Sequence, residues 1–276
     1  MIVRETFEYF VNERIAILEA RQAGLPPPWT KDDILASWRF CNIDRNEDTV
    51  TQWIFHNIID EMDGEDATWH NLVVARFVNW PDTLAEVGIY DKWVPKRFCK
   101  VMRDRRERGE KVYTGAYMIR AGTGEDAKLP KEEYLCKRVF NPLWARRDET
   151  EELESCEDWS AFLGSTFGMG DFMRNQVITD MKYSHHLANA EDWGTFCLAG
   201  PGTSRGLNRY LGRPLNAPWK ADQANIELRR IRYELGKKYA EVFADLNNLS
   251  NSFCEFDKYM RVLLNEGTPR SKYRAS

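Results

Sequence analysis

This sequence predicts a mainly α-helical chain in two lobes. Apolar residues recur at helical spacing in one segment after another. No alternation of strand and helix appears, which argues against a Rossmann or P-loop domain. Residues 103–128 run charged, then β-prone, then glycine-rich, and read as a join. The expected organisation is therefore an N-terminal helical lobe at 1–102, a connecting segment at 103–130 with a β-prone stretch near 111–120, and a second helical lobe at 131–276. Whether the two lobes pack as one fold stays open. A chain of 276 residues is long enough for a sizeable core.

The elements follow in order. FEYFVNERIAILEARQAG carries apolar residues at helical spacing and stops at Gly24. LPPPWTKDD reads as a rigid extended segment, with Thr30 placed to cap the next helix. ILASWRFCNIDR is expected as a second helical element and EDTVTQWIFHNIIDEM as a third. DATWHNLVVARFVNWPDTLAEVG predicts a helix to Trp80, a break at Pro81 and another helix after it. EEYLCKRVFNPLWARRDETEELESCEDWSAFLGSTF continues with helices, and residues 172–247 then alternate helices with short glycine or proline turns.

Composition narrows the classes. Apolar residues at 43% and charged residues at 30% suit a soluble globular protein. No apolar run is long enough for a membrane span, no basic-then-apolar leader opens the chain, and the six cysteines form no CxxC pair, so a cytoplasmic protein with free thiols and no metal site is expected. Net charge is −4, but it is uneven: DETEELESCED holds seven acids, whereas ELRRIRYELGKK holds five bases against two acids. One basic face is enough for nucleic-acid binding, and a solvated surface explains the same runs. Ten Trp and eleven Tyr supply core, or a cleft that stacks flat substrates.

Two glycine turns draw attention. In GMGDFMRNQVITDM, Gly168 and Gly170 allow a tight turn before a helix whose first amides suit phosphate oxygens. In GPGTSRGLNRYLG, Gly200 and Gly202 form the turn, Ser204 caps, and Arg205, Asn208 and Arg209 share a helical face. Both stretches suit a DNA backbone, and both also suit helix corners where glycines serve packing alone. Asp180, near the end of the first helix, is a base, an electrostatic anchor or a cap.

Three polar clusters complete the reading. Arg39, Asn42 and Arg45 fall at spacings of three, as do Arg76 and Asn79. Arg-xx-Asn in apolar surroundings suits a phosphate- or base-binding cleft, or a buried structural network. In NSFCEFDKYMR, Asp257 with Arg261 and Glu255 with Lys258 are at helical pairing distance. They describe either a surface helix laced with ion pairs or an acid and a base carried into a site.

RFCNIDRNEDTVTQW, ARFVNWPDTL, VYTGAYMI, FGMGDFMRNQVITDM, GPGTSRGLNRYLG and NSFCEFDKYMR occur in this order across nearly the whole chain. The set resembles the helical domain of 5-hydroxymethyluracil DNA kinases, a family also described as an α-glutamyl/putrescinyl-thymine pyrophosphorylase clade. It is similar to the amino acid:DNA transferases of thymine hypermodification. The resemblance implies a helix-hairpin-helix architecture like that of DNA glycosylases and, as partners, double-stranded DNA containing modified thymine, an amino acid or polyamine co-substrate, and a separate kinase. For a phage-encoded member the location would be the host cytoplasm. No GxxxxGK[ST] occurs in this chain, so stand-alone kinase chemistry is not expected.

The implied reaction is displacement of pyrophosphate from activated 5-hydroxymethyluracil by an amine. The alternatives are a non-catalytic modified-DNA-binding partner or a glycosylase-like excision enzyme. The implied roles place Asp180, Asp257, Glu255 and Lys258 in catalysis, with Asp180 preferred as base. Arg39, Asn42, Arg45, Arg76 and Asn79 would bind substrate or pyrophosphate, with Arg205 also supplying positive charge. Gly168, Gly170, Gly202, Ser204, Arg205, Asn208 and Arg209 would hold DNA. No cofactor is firmly implied; Mg²⁺ is admitted together with pyrophosphate.

Overall fold

The computed structural model describes residues 3–115, 123–269 and 272. Among them lie thirteen α-helices, numbered α1 to α13 along the chain, with short 3₁₀ turns, two π-helical turns and an isolated antiparallel bridge between Trp38 and Lys272. Residues 111–115 form no strand; the rest of the β-prone stretch, 116–120, lies outside the described residues, as do Arg270 and Arg274. None of the described helices is long and apolar enough to cross a membrane.

The chain forms two compact units, one of residues 1–48 with 194–276 and one of residues 49–193. The boundaries therefore fall at 48/49 and 193/194, whereas the sequence places them at 102 and 131. The difference arises because the N-terminal helix packs with helices from the far end of the chain, a pairing that local composition does not reveal.

The first unit holds α1 (Val3–Gln22), α2 (Asp33–Ser37), α11 (Pro201–Tyr210), α12 (Ala221–Leu235) and α13 (Leu246–Leu263). Helix α1 buries Phe7, Phe10 and Val11, the stripe its spacing predicts. Phe7 stacks on Phe253 of α13 with ring centroids 4.5 Å apart and meets Tyr210 and Phe256 edge-on. Helix α11 approaches α13 closely. A methyl group on Gly206 would overlap the carbonyl oxygen of Phe253, and one on Gly202 would overlap the Cys254 sulfur. Gly202 thus lies inside a helix and serves packing, while Gly200 is the N-cap. Ser204 does not cap that helix, as expected from sequence, but sits within it.

The second unit holds α3 (Thr49–Ile54), α4 (Thr68–Val78), α5 (Pro81–Val87), α6 (Pro95–Glu107), α7 (Lys131–Leu135), α8 (Asn141–Ala145), α9 (Cys156–Gly164) and α10 (Asp171–Met181). Every residue of α4 is buried, so it is the centre of this unit. It ends at Asn79, whose φ of 47° is left-handed, and Pro81 opens α5. A π turn at Cys136–Phe140 joins α7 to α8, just before Pro142. Proline lacks an amide and crowds the carbonyl four residues back, so a widened turn relieves the helix there.

His70 sits on α4 fully enclosed. Its Nε2 donates to the Phe140 carbonyl (2.9 Å), so Nδ1 accepts from the Tyr90 hydroxyl (2.8 Å). Burial pulls the imidazole down to about 4.

Two outcomes follow from this packing. Gly206→Ala should lose about 1–3 kcal/mol in urea unfolding, because backbone rather than a flexible side chain occupies the space. Gly115→Ala, with nothing within 4 Å, should change stability by less than about 0.5 kcal/mol. For His70 the folded form resists protonation while the unfolded chain accepts it near pH 6.5. Its contribution is therefore complete above that pH and is lost as pH falls toward 4, by roughly 3 kcal/mol in total. Urea midpoints at pH 7, 6 and 5 should fall more steeply for the parent protein than for His70→Gln.

Candidate functional site

The region 38–43 departs from the sequence expectation. Of the expected second element, ILASWRFCNIDR, the stretch to Ser37 is α-helical, as part of α2 (Asp33–Ser37), and Arg45 opens a 3₁₀ turn. The cap of α2 is Asp32, whose carboxylate accepts from the amides of Ile34 and Leu35 (2.9 Å each). Thr30 instead accepts from the Asp32 amide and donates to Glu13. Trp38 itself is extended, and residues 39–43 form no helix. Arg39, Asn42 and Arg45 therefore do not share a helical face.

Side chains from α1 and α13 satisfy this irregular backbone. Arg14 Nη2 donates to the carbonyls of Cys41 and Asn42, at 2.8 Å each, and Nη1 reaches Ser252 Oγ at 3.3 Å. Glu255 accepts from the Cys41 amide at 3.1 Å. Lys258 donates to the Arg39 carbonyl (3.1 Å) and to Glu255 (2.6 Å). Arg14 is 4% exposed, and burial pulls its guanidinium below the ordinary range, with Glu255 opposing. The Glu255–Lys258 pair expected from spacing is present, but Glu255 is buried and holds a chain segment.

The segment so held forms one wall of a pocket of about 360 Å³. Arg14, Arg21, Trp29, Trp38, Phe40 and Asn42 contribute to its lining. Asn42 donates to the Glu47 carbonyl (2.8 Å) and its side-chain oxygen accepts from Arg21 Nη1 (2.6 Å). Sequence reasoning found Asn42 here and missed Arg14, Arg21 and the two indoles. A signal for Arg14 was present: it continues the stripe Phe7, Phe10, Val11, and an arginine at a core position needs a buried partner. Arg39 is exposed; the Arg45 amide donates to Asn248 (3.2 Å).

The other predicted residues of this unit surround Asp257. That carboxylate, 3% exposed, takes Arg209 Nε at 2.7 Å, Arg205 Nε at 3.3 Å and Arg261 Nε at 3.3 Å. Arg209 also pairs with Glu266, holding that carboxyl below its usual range. Asn208, wholly buried, donates to the carbonyls of Leu215 and Ala217 (3.0 Å each). Asn208 and Arg209 thus turn inward, onto the following loop and α13, where the sequence places them toward DNA. Arg205 stays one-third exposed and donates to Asn216.

The second unit brings Arg76, Asn79 and Asp180 together. Arg76 grips Asp180 with two nitrogens, Nε at 2.5 Å from Oδ2 and Nη2 on Oδ1, and also reaches Thr51 (3.0 Å) and Asn79 (3.3 Å). Asp180 is 0% exposed and Arg76 2%. Asp180 is therefore the anchor of a buried ion pair, one of the three roles its position in the sequence admits. On the same unit α9, residues 165–170 and α10 make a tight corner. Gly168 has φ 87°, Met169 is buried beneath the turn, and Gly170 is the N-cap of α10. Phe167 and Phe172 stand exposed on either side.

These features define a mostly α-helical chain in two units, in which Arg14, Arg76, Arg209, Asp180, Glu255 and Asp257 are buried in polar networks. The chain belongs to the family described as 5-hmdU DNA kinase, helical domain, whose model matches residues 1–268. It is similar to the 5-hmdU DNA kinase of Bacillus phage SP10, with 23% identity over 292 residues, covering 94% of this chain and 45% of that protein. The chain thus spans less than half the length of that relative. No solved structure matches it.

The Arg76–Asp180 pair makes a sharp expectation. Asp180→Asn leaves the guanidinium buried without its counter-charge and should cost about 3–5 kcal/mol in urea unfolding. Replacing both partners with apolar residues should recover part of that loss, since neither charge is then stranded.

Proposed function

We propose that this chain acts on 5-hydroxymethyluracil in DNA after its hydroxyl has been activated as a pyrophosphate ester, and passes the methylene group to an amine. The amine nitrogen forms a C–N bond to the methylene carbon as the C–O bond to pyrophosphate breaks. Pyrophosphate leaves with the electron pair, and the amine gives up a proton. The observation that carries this reading is membership, over residues 1–268, of a domain family named for 5-hmdU DNA kinases.

The first-unit pocket supports it as the place for the base, because aromatic rings and guanidinium groups share its wall. Of the carboxylates considered as proton acceptor, Glu255 is the one held against that wall, through the Cys41 amide. The corner between α9 and α10 serves as the helix-hairpin-helix-like element against the DNA backbone: Gly168 permits its turn, and α10 begins with open-end amides. A second reading, a modified-DNA-binding partner of a kinase, is favoured by one observation. Asp180, Asp257 and Glu255 are all buried and paired with cations.

The test is a nucleoside mass spectrum of DNA containing 5-hydroxymethyluracil, incubated with a 5-hydroxymethyluracil DNA kinase, ATP and a pool of amino acids and polyamines, with and without this protein. An amine-substituted thymidine that forms only when the chain is present is the expected result. Release of free base would replace transfer by excision. Tight DNA binding with no new nucleoside would leave the binding role alone.

A further inference from the structure

We infer that Cys99 and Cys136 form an oxidative modification site, a thiol pair that a small disulfide such as glutathione disulfide closes into an intramolecular bond, clamping α6 to the π turn that follows α7. Both cysteines belong to the second unit, and the site is separate from the pocket described for the first.

The fold brings the two sulfurs together. They lie 3.7 Å apart although 37 positions separate them in the chain. A disulfide bond is about 2.05 Å long, so roughly 1.7 Å of approach completes it. Cys99 sits on α6 with its side chain partly exposed, where an oxidant reaches it. Cys136 is buried and opens the π turn Cys136–Phe140. A widened turn is the part of a helix best able to shift.

The pair is chemically unequal. The Cys136 thiol donates to the Cys99 sulfur, which holds Cys99 below the ordinary thiol range. Burial and the nearby Glu132 and Glu133 oppose that shift, and Arg103 assists it. The same hydrogen bond, together with burial, pushes Cys136 up. Tyr113, the other titratable group close to both sulfurs, is pushed up by burial. Cys99 is therefore the attacking thiolate and Cys136 the resolving thiol. Two cysteines of the first unit lack this advantage: Glu255 pushes the Cys41 thiol up, and burial pushes Cys254 up to about 12.

The reaction is thiol–disulfide exchange in two steps. The Cys99 thiolate attacks one sulfur of glutathione disulfide, and the first glutathione leaves as a thiolate that takes up a proton. The Cys136 thiol then gives up its proton and attacks the Cys99 sulfur of the mixed disulfide, releasing the second glutathione. Two protein thiols become one disulfide, and glutathione disulfide becomes two thiols. The bond closes the chain from 99 to 136 into a loop, which restricts the unfolded chain.

The test equilibrates the full reduced chain with mixtures of glutathione and glutathione disulfide, alkylates the remaining thiols and maps the peptides by mass spectrometry. The expected product has Cys99 joined to Cys136, a mass lower by two hydrogens before alkylation, and the other four cysteines alkylated. Cys136→Ser should stop at a glutathione adduct on Cys99. Cys99→Ser should carry no adduct at Cys136. The urea midpoint of the oxidised parent should lie above that of the reduced parent, and Cys99→Ser should show no such difference. The parent map decides by itself if substitution at the buried Cys136 prevents folding. Full alkylation of both cysteines at the most oxidising mixture, glutathione retained on Cys99 of the parent, or a bond formed only in urea overturns the site. Equal midpoints for the two parent forms overturn the clamp.

Discussion

A segment of irregular backbone packed against helices has no ladder to satisfy its amides and carbonyls. Residues 38–43 meet that constraint with charges. Arg14, Glu255 and Lys258 hold backbone groups from Arg39 to Asn42. The arrangement ties α1 to α13 through a third strand of chain and fixes where Trp38, Phe40 and Asn42 stand. Replacing Glu255 or Lys258 by an apolar residue would strand its charged partner and a backbone group, and replacing Arg14 would strand the carbonyls of Cys41 and Asn42, so wall and pocket hang on the same contacts. Polar residues that a sequence reader assigns to chemistry are in this unit first of all the means by which a site acquires a shape.

Much of the fold could be read from spacing. The stripe in α1, the apolar-rich run of α4 and the break at Pro81 announce themselves, as do the pairings of Glu255 with Lys258 and Asp257 with Arg261, because each is local. The segment after Ser37 misled because Trp38, Phe40, Cys41 and Ile43 are apolar enough to extend a helical pattern. Their backbone follows partners more than two hundred positions away in Glu255 and Lys258. Arg76 and Asp180 are 104 positions apart, a pairing that periodicity cannot express. The glycines of α11 were visible, but their reason was not: the surface they accommodate belongs to Phe253 and Cys254 on another helix.

The two glycine turns, alike in sequence, come to different ends. At Gly168 the left-handed backbone is needed for the corner itself, and Phe167 and Phe172 nearby reach solvent. At Gly202 and Gly206 the missing side chain lets α11 lie against α13, and the arginine that follows, Arg209, is drawn inward to Asp257. Similar composition thus served exposure in one place and close packing in the other. What distinguishes them is the position of the glycine relative to the helix start, before it at 168 and within it at 202 and 206.

The discontinuity of the first unit bears on how the chain is made. Residues 49–193 emerge from the ribosome as one uninterrupted stretch containing all the helices of their unit, and can collapse as soon as they are complete. Helix α1 emerges earlier and has to wait. Phe7, Phe10 and Val11 remain without their α13 partners until residues 246–263 have been synthesised. During that interval its apolar face, with Arg14 not yet matched to Ser252, is open to non-native association. Slowed translation of the last third, or chaperone depletion, would strike the earliest-made helix hardest, and the nascent chain would be most sticky at the end that left the tunnel first.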